Sequence, residues 1–244
     1  MAIMFLEKKF VIHTTHTDFK DIIRPYAILY FFKDLAGMHA EQIEVGFEDI
    51  AKLSYIWVVL YEQYEVLQNL CKYGDEIIVR TWPKPRGRLE FEREYEICDS
   101  NGNLIIKGIS NWALIDINKR TIAKANDVNF NGEFYQRTNY TDKQKRKLNL
   151  KPENIIKEYN HQVVLSDLDH NMHMNNSKYL DILYNMQNIN DYKICKKVEI
   201  AFIHEAKLND IINVKYYKDE NNRDCYIGFI DDKTCFEAIL TMEE

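Results

Sequence analysis

The sequence has 244 residues, of which 46% are hydrophobic and 13% aromatic, and its formal net charge is −6. This length suits one large domain or two of about 120 residues, and the apolar content is enough to bury a core, which excludes intrinsic disorder. The negative charge argues against general nucleic-acid binding. The five cysteines are scattered without a Cys-x-x-Cys pair, as is typical of reduced thiols. Charges follow closely on the apolar start MAIMFL, so we expect a cytoplasmic protein without a signal peptide or membrane insertion.

The first half of the chain predicts one helix followed by strands. A short strand at about 9–15 precedes RPYAILYFFKDLAGMHAE, where Pro25 suits the first helical turn and apolar residues recur at every third or fourth position. The strand-like segments that follow are SYIWVVLYEQYEVLQ, GDEIIVRTWPKP and LEFEREYEICD. The last of these alternates apolar with charged residues, which is typical of a sheet with one solvated face. DSNGN at 99–103 predicts a hairpin turn into LIIKGISNWALIDINKRTIA.

The second half repeats this order after a polar segment without periodicity, residues 126–153, which we interpret as a linker. NHQVVLSD predicts a strand and NNSKYLDILYNMQN a helix, and a meander is predicted for KKVEIAFIHEA, NDIINVKYYKDE, DCYIGFIDD and CFEAILTME. YGDEIIVRTW at 73–82 is similar to LNDIINVKYY at 208–217. The sequence therefore predicts an α+β fold of two units, 1–125 and 154–244, each with a helix on an antiparallel sheet.

A polar cluster stands directly before the second predicted helix, 175–187, in the segment SDLDHNMHMNNSKYLDIL. Asn175 or Asn176 can cap this helix. Its buried side is predicted to consist of Tyr179, Leu183 and Met186. The unpaired N–H groups and the dipole at a helix N-terminus favour developing negative charge, which is what a carbonyl oxygen under nucleophilic attack requires. The corresponding segment of the first half, TTHTDFKDIIRP, lacks this cluster, so we expect chemistry in the second half only.

The cluster resembles the active-site segment of the acyl-ACP thioesterases, whose pattern is Asp-x-Asn-x-His-x-Asn-Asn-x-x-Tyr. The matching positions are Asp169, Asn171, His173, Asn175, Asn176 and Tyr179. WVVLYEQYEVLQNLCKYGDEIIVRTWPKP and YEICDSNGNLIIKGISNWALID resemble the family's N-terminal strand pair and hairpin. The likeness implies a tandem (double) hot-dog fold, with two antiparallel sheets each wrapped on a long helix. It also implies hydrolysis of fatty acyl-ACP to free fatty acid and ACP, which terminates fatty acid synthesis, with no cofactor and no metal.

The resemblance further implies a catalytic glutamate on the strand after the active-site helix, and Glu205 in EIAFIHEAKLND matches it. Plant members have a cysteine next, but this chain has Ala206, which favours direct attack by water over a cysteine nucleophile. The implied oxyanion donors are backbone N–H groups at the helix start with the side chain of Asn171 or His173. Asp169 would orient one of those two side chains. Glu205, expected to be partly buried, would activate the water, although the sequence leaves the base open between Glu205 and His173.

Each site assignment has a simpler alternative. Asp169, Asn171 and His173 are also residues that form turns and helix caps in proteins of many kinds. A metal site is a second alternative, but the spacing precedes the helix and the Asn-Asn pair has no ligand role. Its candidate ligands are His170, His173, Asp167 and Asp169. Glu205 has the alternative of being a solvated strand charge.

The resemblance places the acyl chain in the first half, along the apolar face of residues 25–40. The candidate substrate contacts are Ile28, Phe31, Phe32, Leu35, Asn175 and Asn176. Core packing is the alternative for the four apolar residues. Two basic groups are candidate docking sites for the acidic ACP, KQKRK at 143–147 and the set Lys84, Arg86 and Arg88, while a solvated linker is the alternative for the first. An acyl-CoA thioesterase, a non-catalytic acyl-thioester binder and a dehydratase of the same fold stay open as alternatives, as does a homodimer.

Overall fold

The computed structural model describes residues 3–141 and 147–243. They fall into two structural units, the first made of residues 3–60 and 64–141 and the second of 61–63 and 147–243. Each unit has an antiparallel sheet and an accompanying helix, so the predicted α+β class is confirmed. Within the described ranges, no helix is both long and apolar enough to cross a membrane.

The first unit begins with short strands, continues with two helices and then forms a meander. Its strands are β1 (Ile3–Met4), β2 (Leu6–Val11), β3 (Tyr55–Val66), β4 (Glu76–Pro83), β5 (Phe91–Asp99), β6 (Leu104–Asp116), β7 (Thr121–Ile122) and β8 (Glu133–Phe134). Its helices are α1 (Pro25–Gln42) and α2 (Phe47–Lys52). The sheet order is β2-β4-β5-β6-β3, with antiparallel pairing from β2 to β6. The short strand β7 pairs antiparallel with β6, and β1 pairs in parallel with β8.

Helix α1 confirms the predicted helix, with Pro25 in its first turn and its apolar stripe buried. The ring of Phe32 stacks on that of Tyr95 in β5, with the ring centroids 4.5 Å apart. Gly108 in β6 makes this contact feasible, because a Cβ at that position would overlap the Phe32 ring. The aromatic residues of the helix stripe therefore anchor α1 to the sheet.

Two expectations for the first unit are wrong. The first main strand, β2, ends at Val11 instead of about residue 15, because the N–H of His13 donates to Nδ1 of His16 and a 3₁₀ turn begins there. The charged face of β5 is buried instead of solvated, since Glu94 and Glu96 are both 0% exposed. The segment after β8 covers that face: the Thr138 hydroxyl donates to Glu94 over 2.7 Å, and the neighbouring Asn139 side chain donates to Glu96 over 2.9 Å.

The second unit contains a shorter helix than the first. Its strands are β9 (Lys157–Gln162), β10 (Cys195–Phe202), β11 (Ile211–Lys218), β12 (Asp224–Ile230) and β13 (Lys233–Met242), in the order β10-β13-β12-β11-β9 with antiparallel pairing throughout. Its helix, α3, covers only Lys178–Asn185, whereas the sequence predicted 175–187. The stripe residues Tyr179, Leu183 and Met186 are buried as predicted, and the Tyr179 ring contacts Phe202 and Phe236 on the sheet.

The two units repeat one backbone frame around the segment that precedes the helix. In the first unit the N–H of Asp18 donates to the carbonyl of Ile22, and in the second the N–H of Asp169 donates to the carbonyl of His173, both over 2.8 Å. The sheet registers also correspond, because Ile77 pairs with Phe10 where Ile212 pairs with His161. Positions in one unit can therefore be compared directly with positions in the other.

Candidate active site

A tight turn in the second unit carries most of the predicted site residues. It follows β9 and a 3₁₀ turn at Leu165–Asp167. Asp169 Oδ1 accepts the backbone N–H of Asn171 over 2.9 Å, and Met172 adopts a left-handed conformation with φ 62°. Short polar side chains that bond to nearby backbone groups favour such turns. Within the described part of the chain, the Asn171 side-chain amide has no hydrogen-bond partner, so it can donate to a ligand.

The turn brings His173 against Glu205. His173 forms an antiparallel bridge with Lys207, and the N–H of Met174 donates to the carbonyl of Ala206 over 2.8 Å. This pairing leaves Nε2 of His173 3.2 Å from Oε2 of Glu205, with 26% and 46% of the two side chains exposed. Glu205 lies in the connection after β10, so the expectation of a partly buried strand residue is wrong. The pair is open to solvent and to a substrate.

The two asparagines lie in a turn just before α3. Asn175 Oδ1 accepts hydrogen bonds from both the N–H and the hydroxyl of Ser177, over 3.2 and 3.1 Å. The N–H of Lys178 donates to the carbonyl of Asn175, and the N–H of Asn175 donates to the carbonyl of Asp167, both over 2.8 Å. The structure thus places Asp169 and Asn171 in one turn, His173 directly after it, and Asn175 and Asn176 in a second turn before α3. Glu205 is added from a distant connection.

The first unit keeps the turn but not the reactive side chains. Asp18 Oδ1 accepts the backbone N–H of Lys20 over 2.8 Å, the same contact that Asp169 makes. The position of His173 is occupied by Ile22, and the position of Glu205 by Leu70. The observed backbone contact of the aspartate therefore supports the turn in both units, whereas the His–Glu pair is specific to the second.

Sequence reasoning missed a second histidine–carboxylate contact beside the turn. Asp167 Oδ2 lies 2.8 Å from Nε2 of His161 on β9 and accepts the N–H of Val164 over 3.0 Å. The sequence suggests Asp167 only as a metal ligand, because no local pattern connects it to a residue of β9. Among residues 3–141 and 147–243, no group of three His, Cys, Asp or Glu side chains is arranged to hold a metal ion.

The cysteines are poorly suited to act as nucleophiles. All five are buried. Burial raises the pKa of Cys235 to about 11, and its Sγ lies 3.6 Å from the hydroxyl of Tyr179. Burial also raises the pKa of that tyrosine well above its ordinary value. A thiol with such a pKa is protonated near neutral pH, so it lacks the thiolate that attacks carbonyls.

The residues predicted to hold the acyl chain lie inside the first unit. Each is at most 1% exposed: Ile28, Phe31, Phe32 and Leu35. They contribute to the core, and their contact with an acyl chain stays a prediction.

The basic residues predicted to dock ACP are largely engaged within the first unit. Lys84 donates to the carbonyl of Tyr140 over 2.8 Å, and Arg86 donates to the carbonyl of Val128 over 2.6 Å. Arg88 is exposed. Residues 143–146 of the KQKRK run lie outside the described residues.

Comparison with known proteins defines the class to which this fold and site belong. The chain is similar in structure to an acyl-ACP thioesterase from Bacteroides thetaiotaomicron VPI-5482, with a TM-score of 0.86, 18% identity and 98% coverage of both chains. It is also similar to the 12:0-ACP thioesterase from Umbellularia californica, with a TM-score of 0.80, 15% identity, and coverage of 98% of this chain and 97% of the other. These likenesses confirm the double hot-dog fold. No curated protein sequence matched the chain.

Comparison of the sequence with protein families identifies the family of the chain. The acyl-ACP thioesterase N-terminal domain matches residues 4–130, and the acyl-ACP thioesterase C-terminal domain matches residues 150–237. The chain therefore belongs to the acyl-ACP thioesterase family. It is a thioester hydrolase that acts on fatty acyl-ACP, as the resemblance implied.

Proposed function

We propose that the chain releases fatty acids from acyl-ACP by direct hydrolysis at the His173–Glu205 pair, without a covalent enzyme intermediate. The observation that carries this proposal is the 3.2 Å contact between Nε2 of His173 and Oε2 of Glu205. An imidazole and a carboxylate in contact can accept a proton from water and keep it in a fixed position. The absence of any counterpart in the first unit supports a role in chemistry, since Ile22 and Leu70 maintain the same backbone frame there.

In this mechanism the thioester carbonyl lies against the turn that precedes α3. The Asn171 amide donates to the carbonyl oxygen as it becomes an oxyanion, and removing such a donor typically costs roughly 100- to 1,000-fold in rate. Water attacks the carbonyl carbon while Glu205 takes one of its protons. The C–S bond then breaks, and the carrier thiolate leaves and takes up a proton, giving free fatty acid and ACP.

The roles of the remaining site residues follow from their contacts. Asp169 holds the turn through the Asn171 N–H and thereby places both the amide of Asn171 and the imidazole of His173. Asn175 fixes the first turn before α3 through Ser177. His173 orients Glu205 in the leading form of the mechanism, and it is the base in the alternative form. The acyl chain is proposed to extend along the apolar stripe of the first unit.

The natural setting of the reaction is proposed to be cytoplasmic termination of fatty acid synthesis, with ACP as a transient acidic partner. An acyl-CoA thioesterase activity of the same site is the competing function. Thiol release measured with matched acyl-ACP and acyl-CoA substrates over several chain lengths separates the two. A higher kcat/KM with ACP supports the proposal, and a higher value with CoA would favour the competing function. Absence of release from either carrier would leave only a binding role.

A further inference from the structure

The second unit exposes apolar side chains around its catalytic turn at positions where the first unit has polar ones. Val164, Leu165 and Met172 are 45%, 75% and 61% exposed. Their counterparts in the repeated frame are also exposed: His13, Thr14 and Asp21. Because the backbone is the same in both units, the fold does not require apolar residues here. Apolar side chains clustered on a surface typically mark an interaction site.

These side chains lie on the connected backbone segments that carry the His–Glu pair. The N–H of Asn209 donates to the carbonyl of Val163, which joins the 3₁₀ turn to the connection between β10 and β11. Met172 directly precedes His173, and the bridge from His173 to Lys207 brings Leu208 opposite Met172. We name Val164, Leu165, Met172 and Leu208 the apolar rim. In the first unit this region exposes Phe19 and Tyr73, and Tyr73 is the counterpart of Leu208, so the two units differ at the positions of Val164, Leu165 and Met172.

Charge alone does not explain how this chain attracts an acidic carrier. Its own net charge is −6, so long-range electrostatics oppose the approach. Near the rim, Asp169 accepts a backbone N–H of its own turn and Asp210 accepts the N–H of Lys207, while the Glu205 carboxylate is 46% exposed beside His173. The ammonium group of Lys207 is exposed and has no partner within the described part of the chain. The four side chains of the rim are apolar, and the ammonium group of Lys207 lies on the same connection as Leu208.

We infer that the apolar rim is the docking surface for the carrier protein of the substrate, with Lys207 pairing to an acidic group of that protein. The inference rests on the proposed function and extends it, because a thioester delivered on a protein brings that protein to the turn that carries His173. Apolar contacts provide binding energy although the net charge of the chain opposes association, and the ammonium group of Lys207 orients the carrier.

The double variant Val164→Thr/Leu165→Thr tests the docking surface. Threonine is the residue of the first unit at the position of Leu165, and it is close to valine in size and adds no charge. The matched control is Ile189→Thr, which removes a 71% exposed apolar side chain on a 3₁₀ turn elsewhere in the second unit. Each protein is assayed with an acyl-ACP and with the same acyl group on pantetheine.

We expect the double variant to raise KM for acyl-ACP about tenfold or more, the effect of losing an interface anchor, while kcat and the pantetheine reaction stay unchanged. The control should behave as wild type with both substrates. Unchanged KM for acyl-ACP would overturn the docking surface and leave the hydrolase intact. Equal losses with both substrates would also overturn it, because the rim would then support the turn and not the carrier. Failure of the wild type to hydrolyse either substrate would overturn the proposed function itself.

Discussion

Replacing Glu205 by glutamine separates catalysis from stability more cleanly than any other change at the site. The substitution keeps the shape of the side chain and removes the ability to accept a proton. The carboxylate is 46% exposed and its partner imidazole 26% exposed, so their contact contributes at most about 1 kcal/mol to folding. For a chain of this size, that corresponds to a loss of roughly 2–4 °C in melting temperature.

The expected effect on the reaction is much larger. General base catalysis contributes roughly 100- to 10,000-fold, so kcat for acyl-ACP should fall within that range. The assay is steady-state thiol release, with thermal unfolding followed by circular dichroism on the same preparations. A matched control is Glu243→Gln, because Glu243 also lies 3.2 Å from a cation, Lys196, and its side chain is 48% exposed. The control should show the same small change in stability and full activity.

The outcome also decides which group is the base. If Glu205→Gln keeps kcat within a few-fold of wild type while His173→Gln abolishes it, the base is His173 and the carboxylate only orients it. Should both variants retain activity, direct hydrolysis at this pair is refuted. Matching losses in the Glu243→Gln control would show that the assay reports stability instead of chemistry.

Three further predictions concern single positions. Asp169→Ala and Asp18→Ala each remove the contact to the N–H two residues on, and Asp18→Ala also removes the contact to the Ile22 N–H. Urea unfolding should therefore show a loss of about 1 kcal/mol for Asp169→Ala and a somewhat larger loss for Asp18→Ala, but only Asp169→Ala should reduce kcat, by roughly 100-fold; equal activities would exclude a positioning role. Burial, aided by the neighbouring Arg93, lowers the pKa of His39 from 6.5 to about 3. Between these two pH values the histidine is protonated in the unfolded chain and neutral in the folded one, so the free energy of unfolding decreases as pH falls from 6.5 towards 3. His39→Gln should flatten this loss when urea midpoints are compared at pH 7 and pH 4, and an unchanged slope would count against it. Gly108→Ala should destabilise the protein by about 1–3 kcal/mol through overlap with an aromatic ring, whereas Gly37→Ala, with nothing within 4 Å, should stabilise α1 by about 0.5–1 kcal/mol; calorimetry showing the reverse order would contradict this packing.

The sequence by itself determined the features that depend on neighbouring residues. Pro25 and the apolar spacing after it located α1, and DSNGN located the turn between β5 and β6. The clustered polar residues from Asp169 to Asn176 indicated the candidate catalytic turn, because residues so close along the chain remain close in any fold. The likeness between the β4 and β11 segments revealed the duplication. Each of these features is encoded either within a few neighbouring residues or in the similarity of two segments of the sequence.

Only the tertiary structure decided which distant groups meet. Glu205 contacts His173 through a bridge between two loops, and no local pattern encodes that bridge. The alternating sequence of β5 predicts that Glu94 is solvated, but in the structure the segment after β8 covers it. The counterpart positions Ile22 and Leu70 have the same backbone frame without a His–Glu pair, so the frame itself does not require these two side chains. Contacts of this kind depend on packing between elements far apart in sequence, where short-range propensities carry no information.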